Sequence, residues 1–249
     1  MLRSTKDLEK YTASVRDGDI GSMYTFLFSE NDFRIRYMVV ETGKWIPDRR
    51  VLIHPSHLVK ILNKERTVVL DLTRDQVDRA PEIEDEEPAH MEGERRRLDR
   101  LSTVMWEPIF QQPGGVPYYP NYLALDLDVG KRSEEDEVET NIRSTNELEG
   151  YDIEATDGKI GHVEDFIADV GESWRIRYLV VDTKDILPSK KVIISPDWIE
   201  DIDWGVREVK VDHTKEEIKK SPEYDPSVPV NRKYEKVLYD YYGRPKYWL

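Results

Sequence analysis

The chain says much of itself twice, and that duplication constrains its fold more than any other feature. FRIRYMVVET at 33–42 returns as WRIRYLVVDT at 174–183. Upstream, Arg3-Ser4-Thr5, Leu8-Glu9, Tyr11 and Asp17-Gly18-Asp19-Ile20-Gly21 recur at a constant offset as Arg143-Ser144-Thr145, Leu148-Glu149, Tyr151 and Asp157-Gly158-Lys159-Ile160-Gly161. One inserted residue later the register resumes, through Val51 and Val192, Pro55 and Pro196, Asp71 and Asp212, to Pro81 and Pro222. About 25 identities in roughly 80 aligned positions, with a single one-residue gap, mark a duplication rather than shared composition. Whatever residues 1–81 fold into, residues 142–222 should fold into as well.

Each copy reads as β structure. Asp17-Gly18 and Asp157-Gly158 are hairpin signals, because glycine takes the positive φ that tight turns demand, and Gly21 suggests a bulge just beyond. Both aspartates are therefore assigned to turns rather than to paired acid–base chemistry. In the repeated strand Ile35, Tyr37 and Val39 alternate with Arg34 and Arg36, so one face is apolar and the other carries guanidinium groups, as do Arg175 and Arg177. Further strands are expected at Val51–His54 and Val68–Leu72 and at their counterparts. Thr73-Arg74-Asp75-Gln76 and Thr214-Lys215-Glu216-Glu217 fit the capping box that starts a helix. Short, closely spaced strands with Gly and Pro punctuation predict a small closed or nearly closed barrel per copy.

Weaker correspondence runs on past the barrels, pairing Pro88 with Pro229, Glu94 with Glu235 and Trp106 with Tyr247, so each barrel is expected to carry a helical arm. Leu98, Leu101 and Met105 share one helical face of the first arm, and Tyr234, Val237, Leu238 and Tyr241 share one face of the second. The expected organisation is a first barrel at 1–81, a first arm at 82–107, an acidic, Pro-, Gly- and Tyr-containing linker at 108–141, a second barrel at 142–222 and an aromatic C-terminal arm at 223–249. Barrels of this size have small cores, so the two are expected to bury apolar surface on each other about a pseudo-twofold, with each arm reaching across the opposite barrel.

The charge excludes some partners. The chain carries a formal charge of -14, and counting Lys and Arg against Asp and Glu gives 14-12=+2 for residues 1–81, 6-16=-10 for 82–141, 12-19=-7 for 142–222 and 5-4=+1 for the remainder. Such a field repels phosphates and anionic membrane surfaces, which argues against direct nucleic-acid binding. No apolar run is long enough to span a membrane, and MLRSTKDLEK has no apolar stretch of the secretory kind. Membrane insertion is not expected, and a cytoplasmic location is. With no Cys at all, disulfides, thiolate catalysis and Cys-held metals are excluded.

The Asp-Gly-x-Ile-Gly turns at 17 and 157, the Arg-Ile-Arg-Tyr-x-Val-Val-x-Thr strands, the Val-x-Ile-x-Pro segments at 51 and 192, and Ser221-Pro222-Glu223-Tyr224 together resemble the PRC-barrel family. That family is named for the cytoplasmic domain of the photosynthetic reaction centre H subunit, and it includes the C-terminal domain of the ribosome maturation factor RimM. The tail through Tyr242-Gly243-Arg244-Pro245 and Tyr247-Trp248 looks like that of free-standing bacterial members with two such barrels. The resemblance implies a mainly β chain of two tandem six-stranded barrels with docking and assembly roles and no shared catalytic residues. The chain departs from the H subunit in lacking a membrane anchor, and from RimM in that its first half copies its second.

Candidate chemistry is sparse. His54-Pro55-Ser56-His57 has metal-like spacing, but its counterpart Ser195-Pro196-Asp197-Trp198 has no histidine and no carboxylate stands at motif spacing, so these histidines read as structural. No nucleophile elbow, Walker loop or dinucleotide glycine pattern occurs. The expectation is a non-enzyme with no cofactor and no metal. Candidate partner-binding residues are Arg36 and Arg177, whose guanidinium forks suit carboxylates of a second barrel or a partner. To them are added the aromatics Trp106, Tyr118, Tyr119, Tyr241, Tyr242 and Trp248, of the type that anchors interfaces and also packs within a chain. The leading expectation is a protein–protein assembly scaffold with an unidentified protein partner, which could be a second copy. The alternatives are a RimM-like ribosome-assembly role through a ribosomal protein, and a small-molecule or ion sensor in the cleft between barrels.

Overall fold

The computed structural model describes residues 1–43, 49–80, 82–83, 142–183 and 190–249. The described part is mainly β and forms two sheets of seven strands. The first half supplies β1 (Leu2–Ser4), β2 (Thr12–Val15), β3 (Gly18–Ser29), β4 (Ile35–Glu41), β5 (Arg50–Ile53), β6 (Leu58–Leu62) and β7 (Thr67–Leu70), with short helices α1 (Thr5–Leu8) and α2 (Arg74–Asp78). The second half repeats them as β8 (Ile142–Ser144), α3 (Thr145–Leu148), β9 (Asp152–Ala155), β10 (Gly158–Asp169), β11 (Ile176–Asp182), β12 (Lys191–Ile194), β13 (Ile199–Asp203), β14 (Glu208–Val211) and α4 (Lys215–Lys220). The chain then adds α5 (Arg232–Tyr242). Both expected capping boxes form, Thr73 with Gln76 and Thr214 with Glu217.

The first sheet runs β5-β4-β3-β2-β7-β6 and the second β12-β11-β10-β9-β14-β13. The expected six-strand closure is not formed: among the described residues no ladder joins β5 to β6 or β12 to β13. The free edges of β5 and β12 are instead taken by the segments that follow each half. Val51 bridges Glu82, Ile83 N–H donates to the Arg50 carbonyl at 3.0 Å, and Tyr224 N–H donates to the Lys191 carbonyl at 2.8 Å.

The seventh strand of each sheet comes from the other half. β1 pairs antiparallel with β10, Leu2 against Asp169 and Ser4 against Ile167, while β8 pairs with β3, Ile142 against Ser29 and Ser144 against Leu27. The cause lies in strand lengths. β3 and β10 are each 12 residues long but pair with β2 and β9 only over Gly18–Ser22 and Gly158–His162. Their far ends would otherwise expose unsatisfied N–H and C=O groups, which the exchanged strands cover. The halves also meet at equivalent residues: Arg34 forms an antiparallel bridge with Arg175, flanked by Ile35 N–H to the Trp174 carbonyl at 2.6 Å and Ile176 N–H to the Phe33 carbonyl at 2.8 Å. An antiparallel pairing of a residue with its own duplicate has a local twofold at its centre, so this bridge marks the pseudo-twofold. Phe33 and Trp174, at matching positions beside it, both adopt left-handed φ, 56° and 51°. Such a conformation is uncommon for bulky residues and is held here by the reciprocal hydrogen bonds.

One apolar cluster runs through both halves. Phe28 is its junction, fully buried, stacked on Phe33 with ring centroids 5.4 Å apart and 6.5 Å from Phe166. A smaller cluster on the other face of the first sheet joins Leu27, Val39 and Leu52 to Ile142 of the exchanged β8.

Asp17 and Asp157 do sit at the hairpin turns, but their carboxylates accept from the first amides of the α2 and α4 helices, Arg74 N at 2.9 Å and Lys215 N at 2.7 Å. Each therefore ties the first hairpin of its half to its last helix. At Gly161 an added Cβ would come within 2.1 Å of the Asp182 carbonyl oxygen. We expect G161A to destabilise the protein by about 1–3 kcal/mol through overpacking against backbone that cannot withdraw, read as a drop in the urea midpoint at unchanged m-value.

Candidate functional site

The C-terminal arm is built from strong local signals. Asn231 caps α5 by accepting from Lys233 N and Tyr234 N at 3.0 and 3.1 Å, and Gly243 ends it in the left-handed conformation at φ 62°. Its seat differs from expectation in two ways. It lies on its own half rather than the opposite one: Tyr178, Trp198, His213, Glu217 and Pro222 all receive it. Exchange across the halves is done by the N-terminal strands instead, and α5 finds a complete aromatic seat on the half it follows. The helix is also turned by about one residue, burying Glu235, Leu238 and Tyr239 and leaving Val237 and Tyr241 exposed.

The rotation follows from Glu235, which is 1% exposed. Tyr178 and Tyr247 hydroxyls both donate to its Oε1 at 2.7 Å, and Arg232 pairs with its Oε2 at 3.0 Å. A buried carboxylate with three partners is tolerated where a bare one would not be. Burial pushes the Tyr247 phenol up to about 12, reinforced by its bond to Glu235, so it stays a donor. The Tyr178 phenol is raised further by burial, with Tyr239 and Glu235 adding to it.

Of the candidate partner-binding residues, most belong to this seat or to local pairs. Arg36 pairs with Asp32 at 3.2 Å. Arg177 donates to Ser173 Oγ at 3.1 Å and lies 4.2 Å above the Tyr247 ring. Trp248 packs edge-on to Tyr239 at 5.1 Å, under the Arg232 guanidinium at 4.2 Å. Tyr242 packs on Trp198 at 4.8 Å and His213 at 4.5 Å. Tyr241 stays exposed, its hydroxyl donating to the Glu217 carbonyl at 2.7 Å. Trp106, Tyr118 and Tyr119, with the first arm and linker, lie outside the described residues. Among the repeated arginines Arg175 crosses the halves, donating from Nε to the Asp32 carbonyl at 2.8 Å, and so does Arg143, from Nε to Glu30 at 3.3 Å.

His213 is buried and its Nε2 has no hydrogen-bond partner; burial, aided by the Arg244 charge, lowers its pKa from the usual 6.5. The unfolded chain then binds a proton that the folded one refuses, so stability is complete above about 6.5 and falls as pH drops below it. We expect wild type to lose more thermal stability than H213F between pH 7.5 and 5.5, the difference isolating this ring.

A cavity of about 470 Å³ lies between β1, α1, the β10 face and the Pro226–Val230 strap. Its wall is the exchange joint. Asp165 accepts from Ser4 Oγ at 2.5 Å, Thr5 Oγ1 at 3.2 Å and the Lys6 amide at 3.0 Å, all from the other half. Burial nonetheless raises its pKa. Close by, burial pushes Glu9 up to about 7, with Asp165 and Glu149 adding to the shift. Lys6 binds Glu149, Lys191 binds Glu164 at 2.6 Å, and Arg3 and Lys10 also line the cavity. At the equivalent of Asp165 in the first half stands Thr25, which meets Ser144 and Thr145 hydroxyls at 3.0 and 2.9 Å. The carboxylate joint is thus peculiar to one side, and nothing in the repeat pattern points to it.

Among the described residues no group of three or more His, Asp or Glu is placed to hold a metal ion, and no helix is long and apolar enough to cross a membrane. No protein-family model matches the chain, and no curated protein matches it.

Proposed function

We propose that the protein is a non-enzymatic, cytoplasmic docking and assembly scaffold of the PRC-barrel kind, each half a six-stranded barrel-like unit, with the outer face of α5 (Arg232–Tyr242) as its docking surface for a protein partner. The observation that carries this reading is the Val237–Tyr241 pair, 52% and 40% exposed one turn apart, on a helix locked from beneath by Glu235 and the aromatic seat around it. A preorganised apolar and tyrosine pair, ringed by Lys233, Lys236 and Asp240, loses little entropy when it is covered. The test is affinity capture with the tagged full-length protein in its native cells, comparing wild type with V237K/Y241K. Loss of the captured proteins by the variant, at unchanged circular dichroism, is the expected result; an unchanged set of proteins overturns it.

A second reading is supported by the cavity at the exchange joint. Its lining carries Arg3, Lys6, Lys10 and Lys191 against Asp7, Glu164 and Asp165, a local cationic excess in an acidic chain, which suits a small anionic ligand. A thermal-shift screen of anionic metabolites would raise the melting temperature if so, and K191A would abolish the rise; a flat screen removes the reading.

A further inference from the structure

β6 and β13 are the outer strands of their sheets and occupy equivalent places in the two halves. Each pairs on one side only, with β7 and β14, and among the described residues no backbone hydrogen bond reaches the other side of either. Their exposure follows the same pattern, the second and third residues facing solvent in both. The residues in those places are Val59 and Lys60 in one, Glu200 and Asp201 in the other. Over the whole hairpins the contrast is equal and opposite. Residues 58–70 hold Lys60, Lys64 and Arg66 against Glu65, 3-1=+2. Residues 199–211 hold Arg207 and Lys210 against Glu200, Asp201, Asp203 and Glu208, 2-4=-2.

Duplication gave both hairpins one shape, and their charges then parted. Like charges on an edge strand discourage that edge from meeting its own kind. Lys60 guards β6 against another β6, and Glu200 with Asp201 guards β13 against another β13. Neither guard opposes β6 meeting β13. Each hairpin also exposes one apolar side chain, Val59 at 57% and Val206 at 67%, which place apolar contact beside the charges. Lys60, Lys64 and Glu200 form no ion pair among the described residues, and Asp201 is paired only within its hairpin, to Lys210 at 3.3 Å.

We propose that the protein assembles head to tail with further copies of itself, the basic β6–β7 hairpin of one copy docking on the acidic β13–β14 hairpin of the next. The contact joins two different surfaces, so it either repeats from copy to copy as an open chain or closes as a ring, the smallest being a pair of copies that makes the contact twice. It uses neither the outer face of α5 nor the cavity, and stands or falls independently of both readings above.

Sedimentation velocity on the full-length protein from about 10 µM to about 1 mM tests it. At about 50 mM salt the weight-average sedimentation coefficient should rise with concentration, and raising salt to about 500 mM should weaken association at least about tenfold, since the contacts are exposed and screened. K60E/K64E and E200K/D201K should each sediment as monomers with unchanged circular dichroism. An equimolar mixture should associate again, because each variant then offers the other a complementary edge on both sides. V237K/Y241K should associate as wild type does. A wild type that stays monomeric throughout, charge variants that still associate alone, a mixture that fails to recover, or loss of association in V237K/Y241K would each overturn the proposal.

Discussion

Phe28→Ala should cost about 3–5 kcal/mol and unfold both halves in one transition. The magnitude is that of a large aromatic removed from a site with no room to collapse. Phe28 is fully buried, stacked on Phe33 and close to Phe166, and its backbone pairs with Arg143 of the exchanged β8. The cavity would therefore open at the seam where the two cores become one. A domain's total stability is about 5–15 kcal/mol, so a loss of this size is a large part of it. Urea unfolding followed by both far-ultraviolet circular dichroism and tryptophan fluorescence should give coincident curves, shifted together. Two separated transitions, with only the first moved, would mean that the halves are independent units and that the strand exchange contributes little.

Glu235→Ala should release the arm at a cost of about 3 kcal/mol. The substitution takes the carboxylate acceptor from the buried Tyr178 and half-buried Tyr247 hydroxyls and the ion pair from Arg232. Uncompensated buried polar groups are where such costs concentrate. E235Q keeps an acceptor for the tyrosines while losing the ion pair, so it should cost about 1 kcal/mol. Hydrogen exchange is the decisive readout: amides of α5 should lose protection in E235A while those of β10 and β11 keep theirs. Uniform loss across the sheet would instead assign Glu235 to the global core. Because these substitutions act beneath the helix, E235A should also weaken any binding that V237K/Y241K weakens, by removing preorganisation rather than contact.

Much of this was legible in the residues. The Asp-Gly turns and the two capping boxes are local devices, specified within a few positions, and they form where the sequence puts them. The expected alternation of Ile35, Tyr37 and Val39 does not hold: a register shift between Leu27 and Phe28 leaves Ile35 in the main core and puts Tyr37 and Val39 with the smaller cluster on the other face. Other features were missed because their partners are remote in sequence. A helical-face reading would put Glu235 on the solvent side, as a charge normally belongs there; its burial is tolerated because Tyr178, from a strand of the sheet beneath, joins Tyr247 and Arg232 in satisfying it. Asp165 has no special spacing at all, and its donors Ser4, Thr5 and Lys6 arrive from the opposite end of the chain.

The duplicated sequence by itself determined that there are two like halves, rich in strand, punctuated at the same places and unequal in charge. It could not determine which half each first strand joins. β1 and β8 carry nearly the same residues, Leu-Arg-Ser and Ile-Arg-Ser, and would satisfy the edge of β3 or β10 alike. Local pattern is degenerate between the two choices. The tertiary structure decided for exchange, where the connection into α1, the Asp165 joint and the Arg34–Arg175 bridge across the pseudo-twofold can all be satisfied at once.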